Sequence, residues 1–368
     1  MNMLVLVHQV GKDAPGILFE RLLRALGERV SVNLVCCAYT PSGSLPIRSL
    51  QTFRYPAMKY RTRRMLTVLS RGDCLARRFA GKIHVPEDTD VILSLCSNER
   101  FFALEAGAIL RERSGKPWAA YCVDAVPAPP AWAGNGPYRR SVQALVKRCC
   151  RELSFFASLT PEMLQYQKQF LPQDIRTDCF LPPVDSTRMR PLDPPDSSPR
   201  FLYAGRVYGR RSARVLLQAF ARLKGEPRLV FIGPDGERIS REIDRYAPAF
   251  RQRIELLPWT RDLEPHLARA TALVDIDAEG PDDVYLSSKL FTYLRCPRPI
   301  VSITGPGSPA RHLLAGMDSV LVCPHDAEAV QEALERCSGA FDYADRTAIL
   351  DQADAGTIAG RLLEDLGL

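Results

Sequence analysis

Short apolar runs alternate with amphipathic segments along this chain, and this alternation restricts the fold more than any other feature. The first half contains the apolar runs MLVLVHQV, SVNLVCCAY, DVILSLCSN and PWAAYCVDA, and segments such as ILFERLLRALGERV between them carry apolar residues at helical spacing. Strands that are apolar on both faces are typical of a parallel sheet covered by helices on each side. We therefore predict an α/β fold built on a doubly wound parallel sheet.

A second series of the same kind follows a proline-rich segment. Residues 180–200 contain six prolines and no periodicity, which predicts a linker. Beyond them, RFLYAGRV, RLVFIG, IELLPW and TALVDID again alternate with helical segments. Because 368 residues are too many for one ordinary core, we predict two Rossmann-like domains facing a cleft. The predicted domains are residues 1–183 and 184–345, followed by a helical tail at 346–368.

The composition indicates a folded protein of a reducing compartment. Apolar residues make up 46% of the chain and charged residues 25%. The eleven cysteines include no Cys-x-x-Cys pair and several lie in apolar runs, which favours core cysteines over disulfides or a metal site. No apolar run is long enough to span a bilayer, and the first ten residues lack the features of a signal peptide. We therefore expect a cytoplasmic protein.

The charge is concentrated in the first half of the chain. Residues 1–186 hold 25 Lys and Arg against 16 Asp and Glu, whereas residues 187–368 hold 24 against 26. Within residues 53–82, nine basic side chains and one acidic side chain are interleaved with large apolar ones. Such a stretch suits an anionic membrane surface or a phosphate, and the alternative is a solvated helix face. With few aromatics and no recognised binding motif, it does not indicate a nucleic-acid partner.

The loops after the strands of the second domain are rich in polar side chains. Ligands bind at the carboxyl ends of the strands in doubly wound sheets. These loops supply Arg206, Arg211, Gly233, Trp259, Glu279, Asp282 and Asp283. Arginines can grip a diphosphate through several donors, and carboxylates can accept hydrogen bonds from sugar hydroxyls. The alternatives are arginines paired with nearby carboxylates and a polar surface loop.

The stretch DVYLSSKLFTYLRCPRPIV adds a helix start to the same edge of the sheet. Ser287 or Ser288 is a good helix cap, Lys289 follows, and Pro297 and Pro299 end the helix. The start of a helix is positive and attracts anions, of which phosphate is the usual one. We therefore predict a phosphate-binding site around Ser287, Ser288 and Lys289.

The second domain contains, in this order, the segments FLYAGRVYGRRSARVLLQAFARL, LVFIGPDG, IELLPW and SSKLFTYLRCPRPIV. Together they resemble the donor domain of GT-B glycosyltransferases, especially the retaining family 4 of bacterial polysaccharide and lipopolysaccharide synthesis. The resemblance implies that Arg206, after Gly205, and Arg211 hold the donor diphosphate. It also implies that the segment containing Leu290 contacts the donor, with Thr292 in place of the glutamate that commonly binds the ribose. No cofactor and no metal are implied; the donor is a nucleotide-diphosphate sugar.

In the first domain, polar residues follow three of the predicted strands. Asp124 occupies a position that resembles that of an aspartate in related transferases, where it could bind or deprotonate the acceptor hydroxyl; the alternative is a turn or cap before Pro127. His8, Ser97, Asn98 and Glu99 are further acceptor-side candidates, although a lone histidine is more often structural. Gly11 lets the backbone approach the sugar or merely turns the chain, since GKDAPG lacks a phosphate-loop pattern.

These observations predict a metal-independent glycosyltransferase that moves a sugar from a nucleotide-diphosphate sugar to a hydroxyl acceptor in cell-surface polysaccharide or glycolipid synthesis. The resemblance to family 4 further implies that the reaction retains the configuration of the sugar. The acceptor is a glycan or is lipid-linked, which places the protein in the cytoplasm or at the inner face of the plasma membrane. Asp275 and Asp277 have the Asp-x-Asp form of metal-dependent sugar transferases, but they close a strand in a different architecture. The alternatives are a nucleotide-sugar epimerase of the same fold and a catalytically idle binding subunit.

Overall fold

The computed structural model of the protein describes residues 1–11, 13–98, 100–189, 192–260 and 262–367. The chain forms two compact units: Met1–Ser186 together with Asp351–Leu368, and Thr187–Leu350. The C-terminal helix that we assigned to a separate tail therefore belongs, by its contacts, to the first unit. Whether the chain folds as separate domains divided at residues 183 and 345 stays a prediction.

The first unit is built on a parallel sheet of seven strands in the order β3-β2-β1-β4-β5-β6-β7. Strands β4, β5 and β6 are buried throughout and β1 along most of its length because helices cover both faces, as the apolar runs predicted. The strands are β1 (Asn2–Val10), β2 (Ser31–Tyr39), β3 (Ser49–Thr52), β4 (Val91–Cys96), β5 (Trp118–Cys122), β6 (Phe155–Ser158) and β7 (Arg176–Cys179). The helices are α1 (Ala14–Gly27), α2 (Tyr60–Ser70), α3 (Cys74–Ala80), α4 (Phe102–Ser114), α5 (Pro130–Ala133), α6 (Pro137–Cys149) and α7 (Pro161–Lys168).

The second unit contains a parallel sheet of six strands in the order β10-β9-β8-β11-β12-β13. The strands are β8 (Arg200–Ala204), β9 (Arg228–Ile232), β10 (Ile254–Leu257), β11 (Ala272–Ile276), β12 (Ile300–Ile303) and β13 (Val320–Cys323). The helices that follow β8 are α8 (Arg214–Phe220), α9 (Gly236–Tyr246), α10 (Glu264–Arg269), α11 (Lys289–Leu294), α12 (Pro309–Leu313), α13 (Ala327–Arg336) and α14 (Arg346–Gln352). The last helix, α15 (Ala355–Asp365), packs on α1 in the first unit.

Both sheets have a switch point, where the order of the strands along the chain reverses. It lies between β1 and β4 in the first sheet and between β8 and β11 in the second. Adjacent loops leave opposite faces of the sheet at such a point, so a crevice opens outside the carboxyl ends of the two strands. The prediction of two doubly wound parallel α/β units is confirmed, and the switch points locate the candidate sites.

Candidate functional site

The loop after β8 presents Arg206 at the switch point of the second sheet. Gly205 and Gly209 have φ of 128° and 59°, which ordinary residues rarely adopt, so the loop turns sharply away from the strand. The Arg206 side chain is exposed, and within the described residues its guanidinium forms no ion pair. Its backbone oxygen accepts a hydrogen bond of 3.0 Å from the Tyr203 hydroxyl. The loop is therefore anchored while the charge of Arg206 stays accessible.

Arg211 lies in the same loop but is buried. Its Nη2 is 3.3 Å from Oδ1 of Asp277, which is fully buried and whose Oδ2 accepts a 2.6 Å hydrogen bond from the Ser308 hydroxyl. Burial alone would lower the pKa of Arg211, but the charge of Asp277 holds it above its ordinary value. Burial and neighbouring Asp275 raise the pKa of Asp277 to about 7. The Arg211 guanidinium thus has a carboxylate partner inside the protein.

Lys289 lies beside the same loop. Its Nζ is 3.2 Å from Oδ1 of buried Asp275 and 3.7 Å from the centre of the Tyr203 ring. The end of β8 is tied to α11, because the Ala204 N–H donates a 2.7 Å hydrogen bond to the Tyr293 hydroxyl. The structure therefore brings Lys289 next to the loop that carries Arg206.

The predicted phosphate site at the start of α11 is less regular than the sequence suggested. Ser288 holds the cap position, but its hydroxyl makes no capping hydrogen bond because its backbone is already helical, with φ −64° and ψ −26°. Ser287 is buried, and its backbone oxygen accepts from the Leu290 N–H at 3.1 Å. Leu290 is a fully buried core residue, and Thr292 is half-buried. Ser288 therefore occupies the predicted cap position without the expected hydroxyl hydrogen bond. The phosphate site at this helix start stays a prediction.

Acidic residues after β11 pair with arginines of the loop after β8 and of the start of α8. Arg210 Nη1 lies 2.6 Å from Asp282 Oδ1, and Arg214 Nη2 lies 3.3 Å from Glu279 Oε2. Asp283 is buried, and its carboxylate accepts hydrogen bonds of 3.2 and 3.3 Å from the backbone N–H groups of Tyr285 and Ala278. Arginine pairing, one of the two alternatives, therefore occurs at Glu279 and Asp282, and their role in sugar binding stays a prediction.

Gly233 and Trp259 lie together at the carboxyl ends of β9 and β10. Gly233 has φ of 70°, and a Cβ there would lie 3.2 Å from the Cβ of Trp259. The Trp259 side chain is 63% exposed, which is unusual for so large an aromatic residue. The structure places the two residues side by side after neighbouring strands. Their role in donor binding stays a prediction.

In the first unit, His8 lies near the carboxyl end of β1 in a buried aromatic setting. Its ring is 5.0 Å from the Tyr55 ring, edge to face, and no hydrogen-bond partner of its Nδ1 occurs among the described residues. Burial, reinforced by the positive charges of Arg100 and Arg63, lowers the pKa of His8 to about 3. His8 is therefore a neutral side chain at neutral pH.

Two of the other acceptor-side candidates are joined directly. The Asn98 N–H donates a 3.0 Å hydrogen bond to Oδ2 of Asp124, across the neighbouring strands β4 and β5. Ser97 is buried next to Asn98, and Glu99 lies outside the described residues. Gly11, which follows β1, has φ of 81°, and a Cβ there would collide with the carbonyl oxygen of Thr40. This gives Gly11 a structural reason to be glycine.

Three residues near the candidate sites were not identified from the sequence. Arg100, which we did not single out, donates to Gln9 Oε1 at 2.8 Å and lies 3.2 Å from Asp13 Oδ2. Tyr203 and Ser308 of the second unit were also missed. The Tyr203 ring contacts Lys289, and the Ser308 hydroxyl donates to Asp277. The only signal in the sequence was position, because each of these residues ends or follows a strand near a switch point.

The Asp-x-Asp pair lies among cations of the chain itself. Asp275 and Asp277 face Lys289 and Arg211, respectively. Among the residues that the structure describes, no cluster of three or more His, Cys, Asp or Glu side chains has the geometry to hold a metal ion. No described helix is both long and apolar enough to cross a bilayer.

The comparisons with known proteins agree with this architecture. Residues 198–339 match the sequence model of the family described as Glycosyl transferases group 1. A search of the curated proteins found no match. Among solved structures, Anabaena HepE in complex with UDP and glucose is 15% identical, with 99% of each chain covered and a TM-score of 0.69.

Two further solved structures are similar over nearly their whole length. Sucrose-phosphate synthase from Thermosynechococcus elongatus is 15% identical with a TM-score of 0.69, over 99% of this chain and 95% of that one. The lipopolysaccharide outer core galactosyltransferase WaaB is 12% identical with a TM-score of 0.63, over 100% and 99%. At these identities the similarity concerns the fold. The protein has the GT-B fold of glycosyltransferases, and its second unit contains a segment that matches the group 1 glycosyl transferases.

Proposed function

We propose that this protein is a glycosyltransferase that moves a sugar from a nucleotide-diphosphate sugar to a hydroxyl acceptor. The observation that carries the proposal is the coincidence of two findings in the second unit. The segment that matches the group 1 glycosyl transferases, residues 198–339, contains the switch point at which Arg206 and Lys289 lie. Cations at such a crevice suit a diphosphate.

The donor that we propose to test first is a UDP-sugar. Anabaena HepE has been solved with UDP and glucose, and it shares the fold of this chain over 99% of both lengths. An exposed arginine without an ion pair among the described residues is well suited to bind phosphate oxygens, because its planar guanidinium offers several donors at fixed geometry. Arg206 is therefore the principal diphosphate contact in this proposal, and Trp259 and Gly233 complete the donor side.

The reaction requires a charge to be stabilised as the sugar–phosphate bond breaks. Negative charge develops on the departing diphosphate, and positioned cations lower the barrier by stabilising that charge. In a retaining front-face displacement the departing phosphate oxygen takes the proton of the acceptor hydroxyl. Such a scheme needs no covalent nucleophile and no metal. Its metal independence is supported by Asp275 and Asp277, whose carboxylates already face Lys289 and Arg211.

Asp124 is the acceptor-side residue in this proposal. It follows β5 in the first unit and is half-buried, and its Oδ2 accepts a hydrogen bond from the Asn98 N–H. A carboxylate at the end of a strand is a group of the right chemistry to accept a hydrogen bond from an acceptor hydroxyl. His8, Ser97 and Gly11 lie at the ends of neighbouring strands and would form the surroundings of the acceptor.

We further propose that the acceptor belongs to cell-surface polysaccharide or glycolipid synthesis and is met at an anionic membrane. Of the seven large apolar side chains that are exposed in the described residues, Tyr60, Met65 and Leu69 all lie on α2. Lys59 and Arg61 are exposed on the same segment. Arg61, Met65 and Leu69 are spaced by four and share one side of the helix, and Lys59 and Tyr60 lie at its start. We call these five exposed residues together the α2 basic face. An exposed surface that combines basic and large apolar side chains suits the headgroup region of an anionic bilayer.

The test of the proposed function is a transfer assay with radiolabelled UDP-, GDP- and ADP-sugars and a lipid-linked acceptor fraction, with and without EDTA. We expect one of the donors to release nucleoside diphosphate, and only when the acceptor is present. The amount released should be the same with and without EDTA. Asp124→Asn should reduce transfer far more than it reduces UDP binding. Conversion of the donor without acceptor would instead indicate an epimerase, and loss of turnover in EDTA that Mn²⁺ restores would contradict metal independence.

A further inference from the structure

Strand β11 leads into two buried carboxylates on one face of the sheet. Asp275 and Asp277 are two positions apart, so their side chains point the same way. Both are completely buried. A buried carboxylate is strongly disfavoured unless hydrogen bonds or a counter-charge compensate for the lost water. The partners of each carboxylate therefore indicate why the chain keeps it there.

The two carboxylates are compensated differently. Asp277 is held on both oxygens, by Arg211 at 3.3 Å and by the Ser308 hydroxyl at 2.6 Å. Neither oxygen of Asp275 has a hydrogen-bond partner among the described residues. Its compensation is the charge of Lys289, whose Nζ lies 3.2 Å from Oδ1 without hydrogen-bond geometry. A buried polar group without hydrogen bonds requires a specific explanation.

The ammonium of Lys289 lies at the carboxyl end of β8. The Tyr203 ring is on β8 and the Asp275 carboxylate is on β11, at 3.7 Å and 3.2 Å from Nζ, respectively. A Cβ on Gly205 would lie 3.8 Å from Nζ, so the ammonium adjoins the loop that carries Arg206. The Lys289 side chain is 16% exposed and therefore still reaches solvent. A long, flexible side chain is thus held in one place beside the switch point.

We propose that Asp275 is a positioning residue of the donor site, whose carboxylate holds the Lys289 ammonium at the carboxyl end of β8 for the diphosphate of the donor. The inference rests on the proposed function. A lysine that is already ordered loses less rotamer freedom when it meets a phosphate, so affinity rises without a new contact. Asp275 acts through Lys289 and does not itself contact the donor.

The first test is a double-variant cycle on the affinity for UDP, measured by calorimetry with the folded state checked by circular dichroism. Asp275→Asn keeps the shape of the side chain, and we expect it to weaken UDP binding about 10-fold or more, as loss of one partner of a buried pair does. In a Lys289→Ala background the same substitution should weaken binding by less than about 2-fold, because the residue through which it acts is gone.

Glu255→Gln provides a matched control. It breaks a pair of 2.9 Å with buried Arg200 at the start of β8, away from the carboxyl ends. This variant should lose stability while its affinity for UDP stays unchanged. It therefore separates general damage to an ion pair of the second unit from damage to the donor site.

The second test is rescue of UDP binding by a conservative variant, which a merely structural loss would not show. Asp275→Glu keeps the carboxylate that holds the Lys289 ammonium, so it should bind UDP more tightly than Asp275→Asn, although its longer side chain disturbs the packing. In the Lys289→Ala background the two variants should bind UDP equally, because the ammonium is gone. The other groups that interact electrostatically with Asp275 are Arg211, Asp277 and Tyr293, and they are unchanged in these variants.

The outcomes separate the two proposals. Two outcomes would overturn the positioning role alone. In the first, wild type binds UDP and Asp275→Asn binds it equally well. In the second, the fold-losses in UDP affinity caused by Asp275→Asn and by Lys289→Ala multiply in the double variant. A folded wild-type protein that binds neither UDP nor another nucleoside diphosphate would overturn the proposed function, and the positioning role with it.

Discussion

Arg206 and Arg211 are five positions apart in one loop, and their environments predict different consequences of losing each. Arg206→Ala removes an exposed charge, so we expect kcat/KM to fall by at least ~100-fold with little change in stability. Arg211→Ala leaves the buried Asp277 carboxylate without its cation, which should destabilise the second unit by about 3–5 kcal/mol. Steady-state kinetics and thermal denaturation of both variants check this prediction. An unchanged kcat/KM of Arg206→Ala for the donor would remove its assignment to the diphosphate.

His8 predicts a pH dependence of stability at the residue scale. Its pKa falls from 6.5 to about 3 in the folded protein because burial, Arg100 and Arg63 disfavour the imidazolium. As the pH falls, the unfolded chain therefore binds a proton at His8 before the folded protein does. The free energy of unfolding should fall between a pH of about 6.5 and a pH of about 3, by at most ~1.4 kcal/mol per pH unit. We expect His8→Phe, which keeps the ring contact with Tyr55, to lose less stability than wild type over this range in urea denaturation.

Exposed His84 provides the control for this measurement. His84→Gln should lose stability on acidification as wild type does, because the His84 side chain is exposed and the substitution leaves the buried surroundings of His8 unchanged. Equal acid sensitivity of wild type and His8→Phe would contradict the account of His8.

The residues of the candidate site could be predicted only as far as their position allowed. The carboxyl ends of β8 to β11 could be located from the apolar runs, and Arg206, Trp259 and Lys289 do lie there. Their partners could not be predicted, because an ion pair such as that of Lys289 and Asp275 depends on where α11 packs on the sheet. The pairing of Arg211 with Asp277 has the same origin and joins residues 66 positions apart.

At the scale of elements, apolar runs predicted the buried strands but not the two edge strands of the first sheet. β1, β4, β8 and β11 are apolar along most of their length because both faces are covered. β3 and β7 lie at the two edges of the first sheet, and their sequences SLQT and RTDC are short and largely polar, so no apolar run marks them. Edge strands of this kind resist pairing with other chains, and their composition follows from that need.

Helix α2 carries the membrane prediction. Replacing Met65 and Leu69 by Ser, and Lys59 and Arg61 by Gln, should abolish sedimentation with anionic liposomes at low salt, since each basic group near such a surface contributes ~1 kcal/mol. Wild-type binding should fall as salt rises, because exposed charges are screened within about 8–10 Å. UDP binding should not change, since the four residues lie in the first unit.

The structure refines the choice of residues for this experiment. Arg77 lies 3.2 Å from Glu105, and Arg64 lies 4.0 Å from the centre of the Tyr138 ring, so replacing either would also disturb packing. Arg111→Gln with Lys116→Gln, which removes two basic groups elsewhere in the first unit, is the matched control. Wild-type protein that ignores anionic liposomes at low salt would leave the α2 basic face a solvated helix surface.

At the scale of the whole molecule, the repeated alternation of strands and helices predicted two sheets, and the proline-rich stretch after residue 180 predicted where one series ends. What the sequence pattern could not show is that the chain returns to the first unit. Ile358, Ala359 and Leu362 of α15 are fully buried, and the helix packs on α1. An amphipathic terminal helix has the same pattern whichever unit it covers.

The central claim is that the second unit binds the diphosphate of a nucleotide sugar through its switch-point cations. The most direct measurement is calorimetric titration of wild type and Arg206→Ala with UDP, GDP, ADP and their common sugars. We predict that wild type binds one nucleoside diphosphate and its sugar, and that Arg206→Ala weakens this binding at least ~10-fold while remaining folded. A folded wild-type protein that binds none of these ligands would contradict the account.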